Sequence, residues 1–261
     1  MINKQQILDS LKKREDRLFV SKIIDQAILS LKYYEVRFTN YLDPYQQKVV
    51  SAKLGRISDL CMGLSNEYEQ AERRIVSFFP DYMASEDIQY PFSVLQISGK
   101  NLDRLSHRDF LGAILSLGIK REKIGDILIT NDESYIFAMD DIASYIIMNL
   151  NKVANTGIII EEKSINNIKI PEKKHKEIQS TVASLRLDAV LSTALAVSRT
   201  KVLPLIQSEK VNVNWECIGS PSFMLKEGDV ISVRGQGRMV LDRVGGLTRK
   251  GRISITVKRF I

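Results

Sequence analysis

Between Leu187 and Val213 the apolar residues change period twice, and this restricts the fold more than any other feature of the chain. Leu187, Val190, Leu191, Ala194 and Leu195 follow the i, i+3, i+4, i+7, i+8 spacing of one helix face. That spacing predicts a short helix beginning after Ser184, with Arg186 and Asp188 off the apolar stripe. A second helix is expected from Ser198, a residue suited to the N-cap, with Val202, Leu205 and Ile206 turned inward. Pro204 falls inside it, where proline removes a hydrogen bond and costs about 3 kcal/mol, so a kink or a shortened helix is expected. Val211-Asn212-Val213-Asn214 then alternates with the period of a strand, both valines facing a core and both asparagines facing outward. After SPSFMLKEGD, with Gly228 and Asp229 as turn residues, VISVR is a second alternating strand that sends Arg234 outward.

Charge is concentrated in the same region. Between Lys173 and Ile261 lie 16 of the 38 Lys/Arg residues but only 7 of the 31 Asp/Glu, which leaves 22 basic and 24 acidic residues for the rest of the chain. The last third therefore carries all the positive balance. Such asymmetry favours a polyanionic partner over a merely solubilising surface, and nucleic acid over a membrane, because the cations are dispersed through regular structure. Arg199 and Lys201 also stand in the first turn of the second helix, where the helix dipole prefers anions. A bound phosphate resolves that conflict, drawing on the free N–H groups, the dipole and both cations.

The order helix, helix, strand, turn, strand, with RLD at its head, SR at the second helix, then KVNVN and EGDVISVR, resembles an S4 RNA-binding domain over residues 184 to 234. The resemblance implies that the two-helix face and the adjoining strand edge bind structured RNA. It assigns contacts to Arg186, Ser198, Arg199, Lys201, Lys210 and Asn214, and Arg234 extends the track. Asp188 is expected to be structural, capping or pairing near Arg186.

The first two thirds divide further. Residues 1 to about 85 read as helical from the apolar spacing in ILDSLKKREDRLFVSKIIDQAILSL and QQKVVSAKLGRISDLCMGL, with Asp43 as an N-cap and Pro44 at the first helical position. Two readings of Arg73 and Arg74 stand: contact with RNA or a partner protein, or a solvated helix face pairing with Glu67, Glu69 and Glu72. Next, FSVLQIS reads as a strand and Ser106 as the cap of a helix stopped by Gly118. DILIT and YIFAM flank a turn at Asn131 and Asp132, a helix runs from about Asp141 to Lys152, and GIII closes the series. The order β-α-β-β-α-β is that of the split βαβ, ferredoxin-like fold, shared by RNA-recognition modules. Tyr135 and Phe137 lie two apart on one strand face, serving either a core or a base-stacking platform. Polar, basic KSINNIKIPEKKHK is the expected linker. The fold expected is thus α+β: a helical N-terminal domain (1–87), an RRM-like βαββαβ middle domain (88–165) and a C-terminal S4 domain (176–261).

TNYLDPYQQ, NEYEQAERR, SFFPDY, HRDFLGAILSLGIKREKIGDI and the S4 segment, in that order, make the whole chain similar to the bacterial YlmH family. The resemblance implies binding to ribosomal RNA and tRNA on the large ribosomal subunit. It further implies a part in ribosome-associated quality control, holding peptidyl-tRNA while a stalled chain is extended. Lys120, Arg121 and Lys123 are candidates for a second RNA contact.

Nothing in the sequence calls for catalysis, a cofactor or a metal. Arg186-Leu187-Asp188 matches the Arg-Leu-Asp of pseudouridine synthases, but AVLSTAL continues a helix where those enzymes turn. No Gly-rich loop follows a strand to receive a methyl donor. His107 and Asp109, two apart at a helix start, suit local hydrogen bonds better than acid–base work. Cys61, Cys217, His107 and His175 lack the spacing of a disulfide framework or zinc site. With no apolar run of membrane length, a cytoplasmic monomer is expected. The alternatives are an S4-containing RNA-modifying enzyme and an interaction factor for cell division.

Overall fold

Asp43 and Pro44 start a helix as their residue types dictate, yet the segments on either side become strands. The computed structural model describes residues 2–130, 133–168, 170–171 and 175–260. Chain order begins with helices α1 (Lys4–Asp9) and α2 (Arg14–Tyr33), strand β1 (Arg37–Leu42), helix α3 (Pro44–Leu54), and strands β2 (Leu60–Leu64) and β3 (Arg74–Pro80). Asp43 and Gln46 form a reciprocal capping box at the start of α3. The N-terminal helices are present, and a three-stranded antiparallel sheet in the order β1-β3-β2 is added to them. IVSFF is buried along its whole length, as a strand covered on both faces requires. LCMGL, expected to continue a helix, instead pairs with it.

The middle elements follow the expected order: β4 (Phe92–Gly99), α4 (His107–Ser116), β5 (Ile124–Ile129), β6 (Glu133–Met139), α5 (Asp140–Asn149), a short β7 (Lys152–Val153) and β8 (Thr156–Lys163). Ser106 and Asp109 form the capping box of α4, and Gly118 takes the left-handed conformation (φ 80°) just beyond it. The sheet order β5-β6-β4-β8-β7 is the ferredoxin-like arrangement with one small strand added at its edge. The turn expected at Asn131 and Asp132 lies outside the described residues.

Both faces of this sheet are covered. Leu95, Ile97, Ile136 and Ala138 pack on α4 and α5. Val94, Tyr135, Phe137 and Met139 project to the other side and form one core with Tyr41, Tyr68 and Ile75 of the N-terminal part. Tyr135 and Phe137 are each only 1% exposed, and the Phe137 ring centroid lies 5.5 Å from that of Tyr68. The two aromatics thus serve a core, and no base can reach them.

Polar groups fix the join. The Asp126 carboxylate on β5 accepts hydrogen bonds from the Tyr68 hydroxyl at 2.6 Å, the Glu72 amide at 2.7 Å and the Arg73 amide at 3.2 Å. Arg73 in turn donates through Nε to the Ile124 carbonyl and through Nη2 to the Tyr41 carbonyl. Of the two readings of Arg73 and Arg74, the solvated helix face is instead a loop entering β3, and in place of RNA or a partner protein both guanidiniums bond to backbone: Arg74 donates to the Ala71 and Glu69 carbonyls. Gly125 is required here, since a Cβ would fall 2.7 Å from the Tyr41 ring. Residues Met1–Pro171 accordingly make one compact unit.

The second unit, Glu172–Ile261, begins inside the segment expected to be the linker; of that segment, Lys169 and residues 172–174 lie outside the described residues. It holds β9 (His175–Val182), α6 (Leu187–Ala194), α7 (Arg199–Gln207), β10 (Val211–Val213), β11 (Glu216–Cys217), β12 (Val230–Val233), β13 (Gly237–Leu247) and β14 (Ile253–Phe260). The antiparallel sheet β11-β10-β12-β13-β14-β9 turns one face onto α6 and α7, and Leu187, Val190, Leu191, Val202, Ile206, Val211 and Val213 share that core. Helix α7 runs through Pro204 unbroken. Among the described residues no single helix is long and apolar enough to cross a membrane.

Two measurements probe the first unit. Asp126→Ala strips three donors of their acceptor and is expected to lower stability by about 2–4 kcal/mol in urea titration; a loss within error of wild type contradicts the hub. Burial holds the Glu67 carboxyl above its ordinary value, against the opposing hydrogen bond from Ser65 at 2.6 Å. A raised folded value means that the native state binds the proton more tightly, so stability is present at low pH and is lost as pH rises out of the usual carboxylate range. Glu67→Gln is expected to flatten that limb of the stability–pH curve, and an unchanged slope refutes the assignment.

Candidate nucleic-acid interface

The starts of α6 and α7 differ in what they leave open. At α6 the first amides are taken: Leu187 donates to the Phe223 carbonyl at 2.8 Å, Asp188 to the Pro221 carbonyl at 3.2 Å, and Ala189 to the Asp188 carboxylate at 2.9 Å. Arg186 occupies the N-cap position and grips Asp188 with both arms, Nε to Oδ1 at 3.0 Å and Nη2 to Oδ2 at 3.2 Å. Asp188 is 5% exposed rather than lying on the solvent side. The Arg186 hydrogen bonds, with Arg199 adding to the local positive field, hold its carboxyl below the usual range. The charge of Arg186 is therefore largely matched within the protein, and its guanidinium orients the head of α6 while keeping one face toward solvent.

Helix α7 has the opposite character. Ser198 stands at its N-cap, as expected, but caps nothing: its hydroxyl is 2.7 Å from that of Thr200. The first-turn amides lack a side-chain acceptor, and no acidic residue sits in that turn. Arg199 and Lys201 project from it, both exposed and without a hydrogen bond or ion pair among the described residues. The Lys201 amide donates to the Ser198 carbonyl at 3.0 Å, and the amides of Arg199 and Thr200, the positive dipole end and two cations make this an anion-attracting point.

Lys210 and Arg234 form a second pair. The Arg234 amide donates to the Lys210 carbonyl at 2.9 Å, which extends the β10–β12 ladder by one rung and sets the two exposed side chains opposite each other. Asn214 departs from its expected role. It leaves the strand in the left-handed conformation (φ 49°), donates through Nδ2 to Asp229 at 2.8 Å and accepts the Val230 amide at 2.9 Å. Its amide is consumed in joining two turns, a use that period-two alternation does not reveal.

Of the second-contact candidates, only Lys120 is exposed and unpaired among the described residues. Arg121 turns inward to the carbonyls of Ile124 and Gly125, and burial, with neighbouring Arg73, pushes its guanidinium down to about 10. Lys123 pairs with Asp141. Asp109 is spent on the Ser106 cap, and those hydrogen bonds hold its carboxyl below the ordinary range. Among the described residues no group of three or more His, Cys, Asp or Glu side chains is placed to hold a metal ion.

Comparison with known proteins matches this architecture part by part. Residues 15–83 fit the family model described as "YlmH, N-terminal", residues 85–167 the "Putative RNA-binding domain in YlmH", and residues 185–231 the S4 domain. The chain belongs to the YlmH family. A relative from Bacillus subtilis (strain 168), "Ribosome-associated protein quality control protein P2", is 29% identical over 248 residues, spanning 95% of this chain and 96% of its own length. In fold, the chain is also similar to the solved "Cell division protein ylmH from Streptococcus pneumoniae", with a TM-score of 0.54 at 22% identity over 62% of this chain and 98% of that one. The S4 match ends at Ile231, so the hairpin of β13 and β14 and its pairing with β9 extend the sheet beyond it.

The structure also brings forward Met224, which sequence spacing does not single out. It bridges Arg186 across a local antiparallel contact and is 56% exposed. Asn214→Ala is expected to cost about 1–2 kcal/mol of stability while leaving the RNA affinity of the folded protein within about two-fold. Fluorescence-anisotropy titration beside thermal melts checks this, and a large affinity loss at unchanged stability restores the outward role.

Proposed function

We propose that this chain is a non-enzymatic RNA-binding adaptor that associates with the large ribosomal subunit in quality control of stalled nascent chains. Its C-terminal unit grips ribosomal RNA or tRNA beside the peptidyl-tRNA. The observation that carries the proposal is the start of α7, which has no side-chain cap, with Arg199 and Lys201 exposed and unpaired among the described residues. Lys210 and Arg234 extend the cationic surface, and Arg186 contributes the solvent face of its paired guanidinium. Lys120 is the remaining candidate for a contact from the middle part. The name of the Bacillus subtilis relative supports the ribosomal setting. RNA contact is assigned to residues 176–261, while 1–87 and 88–165 act as a joined body that meets other parts of the particle. A monomer working in the cytoplasm suits this role, with no cofactor.

With four open cations, log affinity is expected to fall against log salt with a slope of roughly −3 to −4. Sedimentation with purified large subunits carrying peptidyl-tRNA supplies the test. Arg199→Glu with Lys201→Glu is expected to weaken association at least about ten-fold, whereas Glu69→Lys leaves it unchanged. Equal behaviour of the two variants, or binding indifferent to salt, removes the proposal. Recovery of modified RNA nucleotides after incubation favours an enzyme instead.

A further inference from the structure

Trp215 is the only tryptophan in the chain, and it occupies a backbone position that a large side chain disfavours. Pairing of Val213 with Glu216 closes a two-residue hairpin over Asn214 and Trp215. Both loop residues are left-handed, with φ of 49° and 66°. A hairpin of this kind prefers Asn-Gly, because glycine enters positive φ without steric cost. An aromatic residue there is an outlier, and such outliers persist where a site uses them. Here the indole is half-buried, and the Arg238 guanidinium carbon lies 5.3 Å from its ring centroid.

Strand register shows what surrounds this stack. Asn212 is opposite Ser232, and Ser232 is opposite Arg238. One rung beyond the Met239–Arg259 pair, Arg238 faces Phe260. Val211, Val213, Ile231, Val233, Met239 and Val257 are buried against α6 and α7, so alternation turns Asn212, Ser232, Arg238 and Phe260 to the opposite face of the sheet. No helix of this unit packs on that face. Lys210 and Arg234 are opposite one another two residues along from Asn212 and Ser232, about 7 Å away on the same face. Aromatic rings, a guanidinium plane, an amide and two cations unpaired among the described residues thus share a surface distinct from the start of α7.

We propose that this outer sheet face is a binding site for unpaired RNA, with a nucleobase stacked on the Trp215–Arg238 platform. The proposal deepens the RNA-binding function above and rests on it. Base stacking on an aromatic ring is indifferent to sequence, because every base presents a π face. Phe260 offers a second ring beside Arg238. The Asn212 amide supplies a donor and an acceptor for a base edge or ribose hydroxyl, and Lys210 and Arg234 meet the adjoining phosphate. RNA fits better than a protein partner, because the unit carries 16 basic against 8 acidic residues and this row joins its rings to cations. The strained tip then has a function, since the hairpin projects its indole across the sheet toward Arg238.

A single tryptophan makes the test direct. Full-length protein is titrated with unlabelled oligouridylate and oligoadenylate of about eight nucleotides while Trp215 emission is followed, and affinity is measured separately by anisotropy of fluorescein-labelled strands. Saturable quenching is expected with single strands and not with a blunt RNA duplex. Trp215→Gly is expected to fold at least as stably as wild type, because it restores the Asn-Gly turn, and to lose roughly five-fold to a hundred-fold in single-strand affinity. Trp215→Phe is expected to keep most of it. Single strands that bind by anisotropy with Trp215 emission unchanged overturn the stacking site alone, as does wild-type affinity in Trp215→Gly. A marked loss of stability in Trp215→Gly, with affinity unchanged, assigns the indole a purely structural role. Quenching by ribosomal proteins but not by oligonucleotides makes the face a protein contact and overturns the proposal. Failure of wild type to bind any RNA or ribosomal particle overturns the adaptor function as well.

Discussion

The carboxylate of Asp126 is the constraint on which the first unit depends. It gathers the Tyr68 hydroxyl and the amides of Glu72 and Arg73, and Arg73 carries the connection on to the carbonyls of Ile124 and Tyr41. These bonds bring backbone and side-chain donors of the N-terminal part onto the edge strand of the middle sheet. A partly buried carboxylate with three donors is stable only while all of them stay in place, so the join is specific as well as tight. The apolar core of Tyr41, Tyr68, Ile75, Tyr135 and Phe137 closes over the same seam.

That closure redirects function. In a ferredoxin-like module the open sheet face is the natural platform for bases, and Tyr135 and Phe137 are spaced as such a platform requires. Here the N-terminal part fills that face, so the aromatics stabilise the unit and are withheld from RNA. The positive charge is concentrated instead in the C-terminal unit. Within that unit the two helix starts differ in what they leave open. The start of α6 is closed by the carbonyls of Pro221 and Phe223 and by Asp188, while that of α7 has no side-chain cap and carries two cations unpaired among the described residues.

Much of this was legible from residue spacing. Capping residues Asp43 and Ser106, the stop at Gly118, the βαββαβ order, both helices of the S4 domain and the inward valines of β10 follow from local propensities and short periods. The strands β1, β2 and β3 were not legible. LCMGL continues an apolar helical spacing by sequence, and only pairing with the fully buried IVSFF decides otherwise, because strand formation depends on a partner distant in the chain. Likewise β9 hides in a polar stretch, His175–Val182, whose ladder with β14 supplies the reason to be extended. Among candidate site residues, Arg199, Lys201, Lys210 and Arg234 are exposed. Asn214, Arg121 and Lys123 are engaged with acceptors that lie close only in the folded chain.

The sequence by itself determined the periods, the caps, the basic last third and the family to which the chain belongs, since each is written in residues near one another or in their order. Tertiary structure alone decided which charges are spent. Arg186 and Arg199 are alike in type and in proximity to a helix start, yet one is held by a buried carboxylate and the other has no acceptor among the described residues. The physical reason is that desolvation and pairing depend on neighbours brought together by folding, and a cation is available to a phosphate only where no internal acceptor has reached it first.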